Sequence, residues 1–199
     1  MTGGWLAAVC AAALFALAGC QPAPQPATFQ ATDITGATFA RDFRLTDHNG
    51  RIRTLADFKG KAVAIFFGYT HCPDVCPTTL SDFAAALRLL GAQEAKRVQV
   101  IFVTLDPQRD TPDILRQFVP AFDPSFLGMY TDPETLQQLA KEFKVVYQKT
   151  SVKSADDYLM DHSAGTYIYD PKGHLRLLMP YGSGPDVIAH DLGVLLAAS

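Results

Sequence analysis

The chain has 199 residues, a formal net charge of −3 and 48% hydrophobic residues. This length fits one domain with a complete core, preceded by a short N-terminal segment. The mildly acidic balance argues against nucleic acid as the partner, because neutralising phosphates requires clustered Lys and Arg side chains.

Residues 1–19 have the pattern of an export signal. From Trp5 onward they are apolar or small, and the segment is shorter than the roughly 20 residues that a membrane-spanning helix needs. It ends in Leu17-Ala18-Gly19-Cys20, which resembles the bacterial lipoprotein signal, in which the cysteine is lipidated and becomes the mature N-terminus. The usual early Lys or Arg is missing, so an uncleaved anchor is the alternative. Both interpretations place the domain on the exported, periplasmic side of the cell envelope.

A proline-rich tether follows the signal. Prolines alternate with small or polar residues between positions 21 and 27, a composition that favours extended polyproline geometry. We therefore predict a lipidated Cys20 and tether at residues 20–32, which hold a folded domain of residues 33–199 near the membrane.

The folded part begins with predicted strands. Residues 42–47 alternate polar and apolar positions and precede Asn49-Gly50, which predicts an N-terminal β-hairpin. Near-continuous apolar runs, typical of central strands covered on both faces, occupy residues 62–68 and 98–105. Two more strands flank a Pro-Lys-Gly turn, at residues 165–170 and 174–179.

Three helices are predicted from apolar residues that recur at i, i+3, i+4 and i+7. Their buried faces are Leu80, Phe83, Ala84 and Leu87; Leu115, Phe118, Val119 and Phe122; and Leu136, Leu139, Ala140 and Phe143. Thr111 is the predicted N-cap of the second helix, and a fourth helix is predicted to begin at Pro185. This order of elements predicts an α/β fold, and a thioredoxin-like three-layer sandwich with a central mixed sheet and an N-terminal β-hairpin fits best.

Two cysteines lie in the turn between the strand 62–68 and the first helix. If Pro77 takes the first helical position, Cys76 is the N-cap and Cys72 lies one turn earlier. The positive end of a helix favours a thiolate, which both thiol-disulfide chemistry and metal binding require. The three intervening residues permit a disulfide and also allow both sulfurs to face one small ion. The pair therefore predicts either a redox-active disulfide or a soft-metal site.

A third ligand would favour the metal site, and His162 is the best candidate. In a thioredoxin-like fold, the loop that enters the strand 165–170 faces the cysteine turn, so His162 is placed to reach the sulfurs. The other histidines are interpreted differently: His71 as pointing away from Cys72, and the remaining three as solvated side chains, at His48, His174 and His190.

Three segments together resemble the Sco/SenC/PrrC family, over residues 33 to the C-terminus. They are Gly-Tyr-Thr-His-Cys-Pro-Asp-Val-Cys-Pro at 68–77, Asp-Pro-Gln-Arg-Asp-Thr-Pro at 106–112 and Asp-His-Ser at 161–163. This family consists of membrane-tethered copper chaperones that take part in cytochrome c oxidase assembly. The resemblance implies copper ligands at Cys72, Cys76 and His162. It also implies that the copper-bearing oxidase subunit, or another copper acceptor, is the partner.

The chemistry of the donors agrees with this resemblance. Two thiolates and one imidazole form a soft set suited to Cu(I), with zinc as the main competitor, and structural zinc usually takes four protein ligands. The rival hypothesis is an enzyme, a thiol-disulfide oxidoreductase in which Cys72 attacks and Cys76 resolves. Since dithiol exchange does not require His162, that residue discriminates between the two functions. The resemblance also permits redox signalling to a regulator.

Two loops near these residues have two interpretations each. Residues 146–158 are polar and lead to His162, so they form either a mobile segment that brings in the histidine when metal binds or an ordinary surface hairpin. Residues 106–112 are interpreted first as a turn that caps the next helix, with partner docking as the alternative.

Overall fold

The computed structural model describes residues 28–198. The signal segment, Cys20 and most of the tether lie outside these residues, so what the sequence predicts for them stays a prediction. Within the described part of the chain, the helices fall short of the length and apolar character needed to cross a bilayer.

A mixed eight-stranded sheet lies at the centre of the fold. Its strands are β1 Thr32–Asp33, β2 Arg44–Asp47, β3 Ile52–Thr54, β4 Ala62–Gly68, β5 Val98–Thr104, β6 Leu127–Tyr130, β9 Thr166–Tyr169 and β10 Leu175–Met179. They are ordered β1-β10-β9-β4-β5-β6-β2-β3. The pairs β4–β5 and β5–β6 are parallel, and the other pairs are antiparallel. A separate antiparallel hairpin consists of β7 Tyr147–Thr150 and β8 Leu159–His162.

Helices cover both faces of the sheet. They are α1 Val75–Leu90, α2 Ala92–Ala95, α3 Pro112–Phe118, α4 Pro133–Glu142 and α5 Gly184–Ala197. On one face α1 packs against α5, and Gly68 of β4 lies against Cys76 of α1. The adjacent residue Phe67 points to the opposite face, where its ring contacts Phe143 just after α4 at 5.1 Å between centroids. The predicted three-layer α/β sandwich is therefore confirmed.

Most of the predicted elements are present. The predicted inner face of the first helix is buried, and Thr111 caps α3 by accepting a hydrogen bond from the Ile114 N–H. The strand β6 was not predicted from the sequence, because its four residues include a glycine and show neither an apolar run nor a clear alternation. Its place in the sheet comes from pairing with β5 and β2.

The interpretation of His48 as a solvated side chain was wrong. His48 is 5% exposed, and its Nδ1 accepts a hydrogen bond from the Gly128 N–H at 3.0 Å. Burial lowers the pKa of this imidazole, because a low-dielectric environment disfavours the charged form. His48 is therefore a neutral structural side chain that joins the first hairpin to β6.

Candidate metal centre

The two cysteines lie where β4 ends and α1 begins. The Cys72 N–H donates to the Tyr69 carbonyl oxygen at 3.2 Å, which closes a tight turn after the strand. The helix α1 begins at Val75 with Asp74 as its N-cap, so Cys76 is its second residue and not the N-cap that we predicted. The prediction assumed that Pro77 takes the first helical position. Proline is also tolerated later in the first turn, because the N–H groups of that turn lack an intrahelical acceptor.

The structure brings Cys72, Cys76 and His162 together. One ligand atom from each lies within 4.8 Å of the others, and Cys76 Sγ is 3.6 Å from His162 Nε2. Both cysteines are free thiols, one partly exposed and one buried. Among residues 28–198, these three form the one group of His, Cys, Asp and Glu side chains close enough to hold a shared metal ion.

A hydrogen bond at Nδ1, the ring nitrogen away from Cys76, orients the imidazole of His162. His162 is the last residue of β8, so it lies on a strand and not in the loop that we predicted. Its Nδ1 is 3.0 Å from the Ser163 carbonyl oxygen, and a carbonyl can only accept a hydrogen bond. Nδ1 therefore carries the proton, and the Nε2 lone pair faces the Cys76 sulfur, where it accepts a hydrogen bond from the thiol and can bind a metal in its place.

Aromatic side chains form the inner wall of this group. The imidazole of His162 meets the rings of Phe66 and Tyr69 edge-on, with centroids at 6.1 and 6.0 Å. The Tyr69 hydroxyl accepts a hydrogen bond from the Met160 N–H of β8 at 3.2 Å. These contacts shield the group from water on the side of the sheet.

The buried sulfur needs a glycine beside it. A Cβ added at Gly68 would lie 2.7 Å from Cys76 Sγ and 2.8 Å from the Phe102 ring. Both distances are too short for any side chain, and the core around them is closely packed. Glycine at the end of β4 therefore allows Cys76 to point inward under the sheet edge.

The two thiols have different electrostatic environments. Burial raises the pKa of the Cys76 thiol strongly, because desolvation penalises the thiolate. Cys72 Sγ accepts a hydrogen bond from the Cys76 N–H at 3.5 Å, so the positive end of α1 acts on the outer sulfur. The predicted stabilisation of thiolate by the helix therefore does not extend to Cys76 in the metal-free protein.

The outer side of the group opens to solvent. A cavity of about 380 Å³ reaches the protein surface there. Among its lining residues are Tyr69, Cys72, Pro73, Val75, Leu159 and His162. A metal ion bound by the three side chains is therefore accessible to a ligand from another molecule.

The other histidines face different partners. His71 Nδ1 lies 3.7 Å from Asp110 Oδ1, and the side chain of His174 is 72% exposed and 3.5 Å from Asp170. His190 Nδ1 lies 2.8 Å from Asp191 Oδ1. Neither these residues nor His48 belong to the Cys72–Cys76–His162 group.

The sequence analysis missed the role of Asp110. This carboxylate is buried, accepts hydrogen bonds from the Thr70 N–H at 2.9 Å and Oγ1 at 2.6 Å, and accepts another from Thr104 Oγ1 at 2.6 Å. Because Thr70 lies two residues before Cys72, Asp110 holds the cysteine turn in place. The only signal in the sequence was a group of charged residues directly after a buried strand.

The family model described as SCO1/SenC matches residues 31–197. The chain belongs to the SCO1/SenC family. This result confirms the resemblance inferred from the three segments, and the thioredoxin-like fold agrees with the solved structures of SCO1/SenC proteins.

Individual relatives match different shares of the chain. The mitochondrial SCO2 homologue of Bos taurus is 39% identical over 133 residues, which are 66% of this chain and 50% of that protein. Bradyrhizobium japonicum ScoI, solved with copper bound, is 39% identical with a TM-score of 0.69 over 76% of this chain and 96% of that chain. Apo Sco1 of Thermus thermophilus is 39% identical with a TM-score of 0.75 over 84% of this chain and 97% of that chain. The chain spans about half the length of the curated SCO1/SenC relatives that it matches first.

Proposed function

We propose that this protein binds a copper ion at Cys72, Cys76 and His162 as cargo, and delivers it to the copper centre of cytochrome c oxidase during assembly. The observation that carries the proposal is the meeting of two sulfurs and an imidazole within 4.8 Å, although His162 is 86 residues from Cys76 in the chain. Relatives from Bradyrhizobium, Arabidopsis and yeast that have been solved with copper bound support it.

The donor set and its surroundings suit a transferable Cu(I) ion. Thiolate sulfur and imidazole nitrogen are ligands that Cu(I) prefers, and three protein ligands leave one side open toward the cavity. Cys72 is the more exposed sulfur, so it is the ligand that an acceptor's side chain replaces first. Cys76 and His162 hold the ion from the protein side until the transfer is complete.

Removing the imidazole tests this proposal. In Cu(I) titrations of the reduced full-length protein against a chromophoric Cu(I) chelator, we expect His162→Ala to weaken binding by about 100-fold or more. This estimate takes the upper end of the losses seen when only a supporting partner of a ligand is removed. The matched control is His174→Ala, which removes an exposed imidazole and should leave the affinity unchanged. Wild-type affinity in His162→Ala would rule out ligation by this histidine.

A second candidate function is thiol-disulfide exchange on exported proteins. The observation that favours it is the combination of a partly exposed Cys72 and a buried Cys76, which suits an attacking thiol followed by a resolving thiol. In that function His162→Ala leaves the rate of disulfide reduction unchanged. In the copper function the same substitution reduces copper binding, so measuring both in one variant separates the two.

We also propose that the domain is attached to the exported side of a membrane through an acylated Cys20 and the proline-rich segment that follows it. This segment ends before Gln30 and Ala31, whose N–H groups bond to the buried Asp191 of the domain. The support is the Leu-Ala-Gly-Cys motif and the proline-rich segment after it. We expect mass spectrometry of the membrane fraction to find an N-terminal acylated cysteine in the wild type, and to find none in Cys20→Ala. A wild-type chain that keeps residues 1–19 would show that the anchor is an uncleaved segment.

A further inference from the structure

The loop of residues 106–110, which we call the brace loop, contacts both parts of the candidate metal centre. Toward the cysteines, its Asp110 binds the N–H and the hydroxyl of Thr70. Toward the hairpin β7–β8, its other side chains reach Tyr158, the residue directly before β8. One short loop therefore links the turn that carries Cys72 to the strand that carries His162.

Tyr158 is held by both its backbone and its side chain. Its hydroxyl donates to Asp106 Oδ1 at 2.8 Å, and its carbonyl oxygen accepts a hydrogen bond from Arg109 Nη1 at 2.9 Å. The Arg109 guanidinium also lies over the Tyr158 ring at 3.5 Å from the centroid, and its Nε bonds to Asp106 Oδ2. Hydrogen bonds, an ion pair and a cation–π contact thus converge on a single residue.

The second strand of the hairpin is attached to the same loop. Lys149 of β7 donates to Gln108 Oε1 at 3.2 Å, and its Nζ lies 4.0 Å from the centroid of the Tyr158 ring. Lys149 of β7 and Tyr158 before β8 therefore both attach the hairpin to the brace loop.

The attachment at Tyr158 determines where His162 lies. Side chains two apart in a strand share a face, and on β8 the residues Met160 and His162 continue the face that begins with the buried Tyr158. The intervening residues, Leu159 and Asp161, are exposed. At about 3.3 Å per residue, His162 is only about 13 Å along the strand from Tyr158, so a shift of the hairpin at Tyr158 is transmitted directly to the imidazole.

From these contacts we propose that Arg109 and Tyr158 form a brace that positions His162 against Cys72 and Cys76. The inference rests on the proposed function, because it assigns these residues a role at the same metal centre. Neither residue belongs to the Cys72–Cys76–His162 group, so both are positioning residues. A ring nitrogen displaced by about 1 Å no longer meets the distance tolerance of about 0.2 Å that metal sites require, so the brace sets the affinity.

The most conservative test removes a single hydroxyl. Tyr158→Phe keeps the ring under the guanidinium and loses the bond to Asp106. We expect it to weaken Cu(I) affinity by about tenfold, the lower end of the range for supporting residues. The matched control is Tyr169→Phe, which loses another buried tyrosine hydroxyl, bonded to the Ala40 carbonyl at 2.5 Å and outside the candidate metal centre. The control should stay within about twofold of the wild type.

A second substitution checks the guanidinium. Arg109→Lys keeps the positive charge but loses the fork of donors that reaches Asp106 and the Tyr158 carbonyl together. We therefore expect it to weaken Cu(I) affinity at least as much as Tyr158→Phe does. In the metal-free protein, amide hydrogen exchange at Met160 and His162 should become faster in both variants and stay unchanged in Tyr169→Phe. This readout does not depend on copper.

The deciding experiment combines each substitution with His162→Ala. Because the brace acts through His162, Tyr158→Phe should cause no further loss of affinity in the His162→Ala background. An equal loss in both backgrounds, or no loss in the wild-type background, would overturn the brace. If Tyr158→Phe is silent while His162→Ala still weakens binding, the brace fails and the proposed function stands. If His162→Ala itself has no effect, the proposed function fails together with the brace's role in copper binding.

Discussion

Oxidation of Cys72 and Cys76 to a disulfide is expected to abolish copper binding. The new S–S bond uses both sulfurs, and the two thiol protons and two electrons leave with the oxidant, so no thiolate remains. The sulfurs lie within 4.8 Å of each other, and a disulfide requires them to approach to about 2.05 Å. His162 then remains as a single neutral donor, which is too weak to retain Cu(I) on its own.

The measurement is a Cu(I) titration of the full-length protein after treatment with diamide, with loss of free thiols checked by alkylation and mass spectrometry. The same sample, reduced again with a phosphine, is the control and should recover its affinity. Copper that stays bound after both thiols have been consumed would contradict ligation by thiolates.

A steep rise of copper affinity with pH is the second large effect that we expect. Burial raises the pKa of Cys76 above its ordinary value of 9.0, so this thiol stays protonated in the metal-free protein at neutral and mildly alkaline pH. Because the ligand is the thiolate, copper has to displace that proton. Each proton released makes the apparent affinity rise by about tenfold per pH unit, and for Cys76 the rise continues beyond the ordinary pKa of a thiol.

Competition titrations with Cu(I) between about pH 6 and pH 10 measure this slope, once the chelator's own protonation has been corrected for. Cys76→Ser provides the comparison, because it removes the buried thiol and leaves the other ionisable groups in place. In this variant, the slope of the logarithm of Cu(I) affinity against pH should be smaller by about one released proton. An affinity that does not change with pH in the wild type would show that Cys76 is already ionised, against the effect of its burial.

Several features of this protein follow from contiguous residues and were predictable. The strands β4 and β5 are near-continuous apolar runs, and the inner face of α1 repeats at helical spacing. A turn between such a strand and such a helix needs no distant contact to be recognised. The family could also be identified, because its three segments are short and continuous in the chain.

Features that depend on pairing or burial were not predictable. The strand β6 exists because β5 and β2 offer it partners on both sides, and His48 is buried because Gly128 offers it a donor. The contact of Arg109 with Tyr158 joins residues 49 positions apart. Sequence periodicity carries information about one element at a time, so it contains no record of such contacts.

The sequence by itself determined that two cysteines lie in the turn between a strand and a helix of an α/β domain, and it indicated His162 as the best candidate for a third metal ligand. Only the tertiary structure decided that Nε2 of His162 lies beside Cys76, that Cys76 is buried while Cys72 is partly exposed, and that the brace loop joins the cysteine turn to the hairpin β7–β8. The physical reason is range: side-chain pattern governs local structure, whereas the distance between distant side chains and the pKa of a buried thiol depend on how the whole chain packs.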